Sequence, residues 1–329
     1  MTTPLAEQQP LAVVAGAGGF VGTALVAHLR ERGYTVRTIG RTGDAVWGEA
    51  DRIRTALEGA DLLVNLAGKS VNCRYTDAHR DEVLRSRVDT TRELREAIEA
   101  ADAPPRVWMN ASTATIYRHA MDHPQTESTG ELGHGFSPDV AQEWERTFFA
   151  GELPATRRVA LRMAIVLGDG PATGLLLRLA RLGLGGTQYD GPWFPHRRYR
   201  GIGSHPTGDG RAPGRHTRGG QMFSWIHLDD VLEAIDFLAD RADIAGPVNL
   251  ASPHPVGNRT LMRTLRRAVG MPIGLPAARW MLEPAMWVLR TEPELVLKSR
   301  WVVPETLTAA GFTFRHPLLR GAVADIVRD

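Results

Sequence analysis

The chain of 329 residues holds one cysteine, Cys73, and only two lysines, Lys69 and Lys298, among its 39 basic residues. A single cysteine excludes internal disulfides and fits the reducing cytoplasm, the compartment expected for this protein. The lysine scarcity reads as genome composition, because arginine simply takes its place. Net charge is only +2, so composition gives no reason to invoke nucleic acid or a membrane surface. No window approaches 18 uninterrupted apolar residues, which excludes a membrane-spanning helix. The opening MTTPLAEQQP lacks the basic and apolar regions of a secretion signal, and residues 1–10 read as a flexible tail. No internal repeat is visible. Hydrophobic content of 43% and charged content of 23% are ordinary for a globular protein.

What is present begins with LAVVAGAGGFVG, residues 11–22. Leu11, Val13 and Val14 read as a buried strand, and residues 23–32 carry apolar residues at helical spacing. Between them Gly16, Gly19 and Gly22 form a GxxGxxG turn, with Gly18 as an extra glycine. Such a turn needs one glycine for the tight bend, one for backbone approach to a pyrophosphate, and one for helix-on-strand packing. The helix start then offers free N–H groups and a positive dipole end to phosphates. Gly16, Gly18, Gly19, Phe20, Val21 and Gly22 are therefore the expected dinucleotide cradle. Residues 34–39, YTVRTI, read as the second strand, whose end is where a carboxylate would grip a ribose 2′-hydroxyl. Here Gly40, Arg41 and Thr42 stand instead, with no acid until Asp44. A guanidinium matches a 2′-phosphate, so Arg41 points to NADP(H); the alternative is a solvated arginine.

Strands and helices continue to alternate. Residues 61–66, 106–111, 158–166, 222–226 and 248–250 read as strands; residues 76–101, the region of 140–149, and 229–240 read as helices. That alternation predicts an α/β, Rossmann-type, doubly wound parallel sheet with a small, mainly helical C-terminal substrate lobe. The expected organisation is a cofactor domain over 11–186, completed by parts of 221–250, an insert over 187–220, and the lobe over 251–329. Pro272, Pro276, Pro284 and Pro304 punctuate that lobe.

The insert has no 3.6 or 2 period and is rich in glycine, proline and arginine (Arg197, Arg198, Arg200, Arg211, Arg215, Arg218). A loop this long is functional or disordered. Tyr189, Trp193, Phe194 and Tyr199 suit a lid, with Trp193 and Arg197 gripping an anionic substrate. His196, His205 and His216 lack the companions of a metal site, and no metal site is expected in the chain.

The glycine turn, the strand end Asn65–Gly68 and the segment 113–117, TATIY, resemble the extended short-chain dehydrogenase/reductases. More closely, NLAGKSV (65–71), SRVDTTREL (86–94), QEWER (142–146), FSWIHLDD (223–230) and LTAAGFTFRHPLL (307–319) resemble an atypical, NAD(P)-dependent epimerase-like subgroup with a C-terminal domain of unknown function. The resemblance spans nearly the whole chain except the insert. It implies cofactor contacts from Leu66, Ala67 and Gly68 as well.

Ordinary members of that superfamily use a Tyr-x-x-x-Lys pair for acid/base work. None of the five tyrosines here has a lysine four residues on; counting from Trp144, Ala141 and Glu145 occupy the two places. The remaining candidates are Thr113 to bind a substrate oxygen, Tyr117 as proton donor, Glu145 or Glu143 as carboxylate, and Lys69 on substrate or phosphate. Their bland alternatives are a backbone cap, an apolar wall, a helix-surface acid and a solvated loop lysine. Asp229 and Asp230 read as helix N-capping residues. Two functions follow: a cytoplasmic NADP(H)-dependent oxidoreductase or epimerase-like enzyme for a polar small molecule, or a non-catalytic NADPH-binding regulatory or scaffold protein. A homodimer is the expected assembly.

Overall fold

The computed structural model describes residues 9–204, 206–210, 217–290 and 292–328. Residues 1–8 of the expected tail, and His205, Arg211, Arg215 and His216, lie outside the described residues. The first half runs β1 (Leu11–Ala15), α1 (Phe20–Glu31), β2 (Thr35–Gly40), β3 (Ala45–Val46), α2 (Ala50–Leu57), β4 (Leu62–Asn65), α3 (Asp77–Glu99), β5 (Val107–Thr113), α4 (Phe136–Phe149) and β6 (Arg157–Met163). There follow β7 (Ile165–Leu167), α5 (Pro171–Arg181), β8 (Gln188–Tyr189), β9 (Met222–Phe223), β10 (Trp225–His227), α6 (Leu228–Asp240), β11 (Gly246–Leu250), β12 (Val256–Gly257) and α7 (Asn258–Ala268). The chain ends with β13 (Ala277–Ala278), α8 (Arg279–Val288), α9 (Glu294–Leu297), α10 (Glu305–Ala309) and α11 (Leu319–Arg328).

Seven strands form one parallel sheet in the order β11-β6-β5-β4-β1-β2-β3. The order reverses between β1 and β4, which opens the crevice where doubly wound sheets take ligands. Strands buried on both faces explain the apolar runs LAVVA and LLV. On one face Leu25 and Leu29 of α1 and Val231, Ile235 and Leu238 of α6 pack against Val14, Val64 and Leu161. On the other, Ile53 and Leu57 of α2 and Leu94 and Ile98 of α3 pack against Val13, Leu63 and Trp108. The fold is the expected Rossmann-type α/β architecture. Among the described residues no helix is long and apolar enough to cross a membrane.

Two expected strands are each cut in two. The run 158–166 leaves the main sheet at Ala164, whose N–H donates to Leu250 O, and β7 pairs with β10 instead. The run 222–226 breaks at Ser224, whose buried Oγ accepts the Val302 N–H and approaches Arg300 O, both at 2.8 Å. Six elements escape the sequence reading: β3, β8, β12 and β13, each two residues and too short to show a period, α2, with three buried apolar residues among arginines, and α5, which starts at Pro171. Pro284 lies inside α8 rather than between helices.

Beyond the sheet, α5, α7 and α11 bury Leu177, Leu261, Leu265, Leu319 and Val323 against Trp225 of β10. The insert is irregular but anchored. Arg80 of α3 donates to the carbonyls of Arg198, Arg200 and Gly201, and Asp139 of α4 accepts the Ile202 N–H.

Candidate functional site

The β1–α1 turn is built as its glycines require. Gly16 has φ +80°, and a Cβ there would lie 2.7 Å from Ala67 N and from Leu66 C. A Cβ on Gly22 would lie 2.3 Å from Gly16 O, so this glycine lets helix and turn touch. Gly18 and Gly19 are different. Both are exposed; a Cβ on Gly18 would meet nothing within 4 Å and one on Gly19 only Gly16 O at 3.4 Å. Gly19 is the N-cap of α1 and supplies no side-chain cap, so the first N–H groups face the open turn. That is the cradle a pyrophosphate needs. Phe20 also serves packing, because its ring covers Gly168 and Gly170. Val21 packs partly buried on the α1–α6 core.

At the end of β2, Arg41 is exposed. Asp44 cannot stand in for the ribose-binding acid: its Oδ2 accepts the Thr38 N–H at 2.7 Å and the Thr38 hydroxyl at 3.0 Å. Those bonds, the backbone one first, hold its pKa below the usual range. At the end of β4, buried Asn65 accepts the Ala67 N–H and donates to Asn110 Oδ1, so the loop Leu66–Gly68 is fixed from beneath.

Beside that loop lies a cation the sequence reading passed over. Arg87 of α3 comes within 3.3 Å of where a Gly68 Cβ would be, lies over the Trp144 ring, and donates to Val83 O. Burial pulls its pKa down to about 10. Its place in the segment SRVDTTREL was the only signal available. Lys69 is occupied by Glu82, Nζ to Oε2 at 2.5 Å.

The expected catalytic trio separates. Thr113 ends β5, and its Oγ1 accepts the Thr115 N–H, which leaves the hydroxyl proton free to donate. Tyr117, expected to give a proton, is instead 1% exposed; its hydroxyl donates to Asn249 Oδ1 and accepts from Arg162 Nη1. Burial raises its pKa further, so it is fixed as a neutral structural phenol. Glu145 is neither a free acid nor a surface carboxylate: Arg162 grips both its oxygens and Ser112 Oγ donates to it at 2.6 Å. Ala141, in the dyad's tyrosine place, is wholly buried in one cluster with the Tyr117 ring. Glu143 pairs with exposed Arg146. Lys298 and Arg300, which sequence reasoning did not single out, bond Thr115 O and Oγ1 and join the C-terminal region to the loop after Thr113.

In the insert, Arg197 is largely exposed and pairs with Asp77, so the expected gripping residue faces solvent. Its neighbour Arg198 is the engaged one, held by Glu283 at 2.5 Å and Glu292 at 3.4 Å. Trp193 is half-buried, edge-to-face with exposed Phe194. Asp229 and Asp230 do not cap α6; the His227 ring does, accepting the Asp229 N–H. Asp230 is wholly buried and takes the N–H groups of Arg315 and His316.

A seven-stranded parallel sheet with an open glycine cradle at its switch point defines a Rossmann-type dinucleotide-binding protein. Residues 12–137 match the NAD dependent epimerase/dehydratase family and residues 278–326 match a domain of unknown function, DUF1731. The first part of the chain is thus similar to that epimerase family, and the part near its end to this domain of unknown function. It is 29% identical over 325 residues to the epimerase family protein SDR39U1 of Mus musculus, covering 96% of this chain and 99% of the relative. It is 26% identical to the epimerase family protein YfhF of Bacillus subtilis, covering 95% and 97%. A crystal structure of human SDR39U1 (isoform 2) with NADPH superposes with a TM-score of 0.81 at 26% identity, covering 97% of this chain and 99% of that one.

Proposed function

We propose that the chain is an NADP(H)-dependent oxidoreductase or epimerase-type enzyme acting on a polar, anionic small molecule without a Tyr-x-x-x-Lys dyad. The observation that carries the cofactor reading is the open, uncapped turn at Gly18 and Gly19. The exposed Arg41, with Asp44 turned back onto Thr38, supports the 2′-phosphate form, as does the NADPH held by the human relative. Bound there, the cofactor supplies a hydride donor or acceptor. The chain's part is to bind and orient. Thr113 offers a hydroxyl proton to a substrate oxygen, and Arg87 offers a cation at Gly68 for an anionic group. In this reading 11–186 with 221–250 is the cofactor domain, 187–220 covers the substrate, and 251–329 is the substrate lobe.

The second reading, a non-catalytic NADPH-binding regulatory or scaffold protein, draws on Ala141 and on the immobilised Glu145. One experiment separates the two: NADPH oxidation and NADP reduction are followed with aldehydes, ketones and their alcohols, and nucleotide sugars, whose epimerisation leaves no net change in the cofactor, are followed by chromatography of the sugar product. Turnover with any class supports the enzyme. Tight NADPH binding with no turnover across the panel supports the second reading.

A further inference from the structure

We propose that His227, Asp229, His316 and Asp325 form a binding site for a divalent transition-metal ion of the zinc type. The ion would fasten the C-terminal domain to the start of α6. One donor atom from each residue lies within 4.8 Å of the others. His316 Nε2 is 3.3 Å from Asp229 Oδ2 and 4.0 Å from Asp325 Oδ2, and His227 Nε2 is 3.7 Å from Asp325 Oδ2. A tetrahedral ion with bonds of about 2.0–2.1 Å has ligand edges of roughly 3.4 Å, so sub-ångström side-chain shifts close the shell.

A second observation points to a ligand. His227 is 4% exposed, and its Nε2 makes no hydrogen bond although it faces this cluster. A buried polar atom without a partner calls for one. Two imidazoles and two carboxylates suit zinc and its first-row neighbours, whereas calcium and magnesium take oxygen alone. The two carboxylates also neutralise the ion.

The surroundings fit such a site. Asp229 and Asp325 are partly exposed and give an entry path, while both histidines lie inside. Asp230 fixes the backbone that carries His316. Arg315 now pairs with Asp229 at 3.1 Å; its side chain is 68% exposed and free to swing into solvent. Nδ1 of His227 accepts the Asp229 N–H at 3.2 Å. Ligation through Nε2 places the ring proton on Nδ1, and so trades this cap bond for a metal bond. The ion would join β10 and α6 to the 312–318 segment and to α11, parts of the chain that also meet through the Arg315–Asp229 ion pair, hydrogen bonds and packing.

The test uses the untagged full-length chain, stripped with chelator, loaded with zinc and dialysed against metal-free buffer. Elemental analysis is expected to find one zinc per chain, and zinc is expected to raise Tm. Asp325→Asn and His316→Ala are expected to lose the bound zinc and the Tm rise, with at least tenfold weaker zinc binding and unchanged NADPH binding. A wild-type chain that retains no zinc, or variants that retain it as well as wild type, overturns the proposal. If His316→Ala does not fold, Asp325→Asn decides, because that side chain is nearly half exposed on α11.

Discussion

Glu145 of α4 and Arg162 of β6 form a two-point ion pair, Nε to Oε1 at 2.8 Å and Nη2 to Oε2 at 2.7 Å, with both side chains nine-tenths buried. Ser112 and Tyr117 complete the pair from either side, and Tyr117 leads on to Asn249 and Glu127. This network ties α4, β5, β6 and β11 together. A buried charge pair of this kind is costly to break from one side.

Glu145→Gln should therefore act first on stability. It leaves the Arg162 cation buried without its counter-charge, at a cost of roughly 3–5 kcal/mol. Denaturant unfolding with an unchanged m-value should report it as a lower midpoint. A variant of wild-type stability that has lost only turnover would return Glu145 to the proton-transfer role.

Tyr117→Phe keeps the ring in its core cluster and removes two hydrogen bonds. Arg162 Nη1 and Asn249 Oδ1 each lose a partner, so a loss of about 1–3 kcal/mol is expected. Because burial already holds this phenol protonated, the pH dependence of any turnover should not move. A pH profile that loses one limb in the variant would contradict the structural role.

Arg41→Ala should weaken NADPH binding by at least tenfold and leave NADH unchanged. The expected loss is about 1.5–3 kcal/mol, that of a hydrogen bond to a charged group. Calorimetry on both cofactors checks it, and equal wild-type affinities for the two would refute the 2′-phosphate assignment.

Gly16 and Gly19 should separate fold from cofactor binding. Gly19→Val has ordinary φ of −81° and open space around its Cβ, so it should fold and lose NADPH by blocking the pyrophosphate. Gly16→Val should instead destabilise the protein, since it forces a branched side chain to φ +80° against the Leu66–Ala67 backbone. Circular dichroism melts alongside cofactor titration distinguish the two effects.

Shortening 187–220 should cost stability as well as any substrate binding. The segment carries Arg198, which shares buried Glu283 with Arg279 and pairs with buried Glu292, and the main-chain groups that satisfy Arg80 and Asp139. A shortened chain that melts like wild type would show these anchors to be dispensable.

Much of the fold was legible because its signals are local. The glycine turn lies within twelve residues, and both its bends and its packing demands fall on residues next to one another in the chain. The main strands announce themselves as apolar runs because parallel strands are buried on both faces. That no tyrosine has a lysine four residues on was equally legible, since it is a matter of spacing. The broken strands were not, because each break depends on a distant partner such as the Val302 N–H on Ser224.

By itself the sequence determined the Rossmann framework and the glycine turn after its first strand, and it shows that no tyrosine is followed four residues on by a lysine. Only the tertiary structure decided what each polar side chain meets. Glu145 finds Arg162 seventeen positions away, Asp230 finds the Arg315 N–H across 85, and Lys298 finds Thr115 O across 183. No period or spacing encodes such pairings. They arise because a buried charge or donor must be matched by whatever the folded chain brings beside it, and that is settled when the layers close.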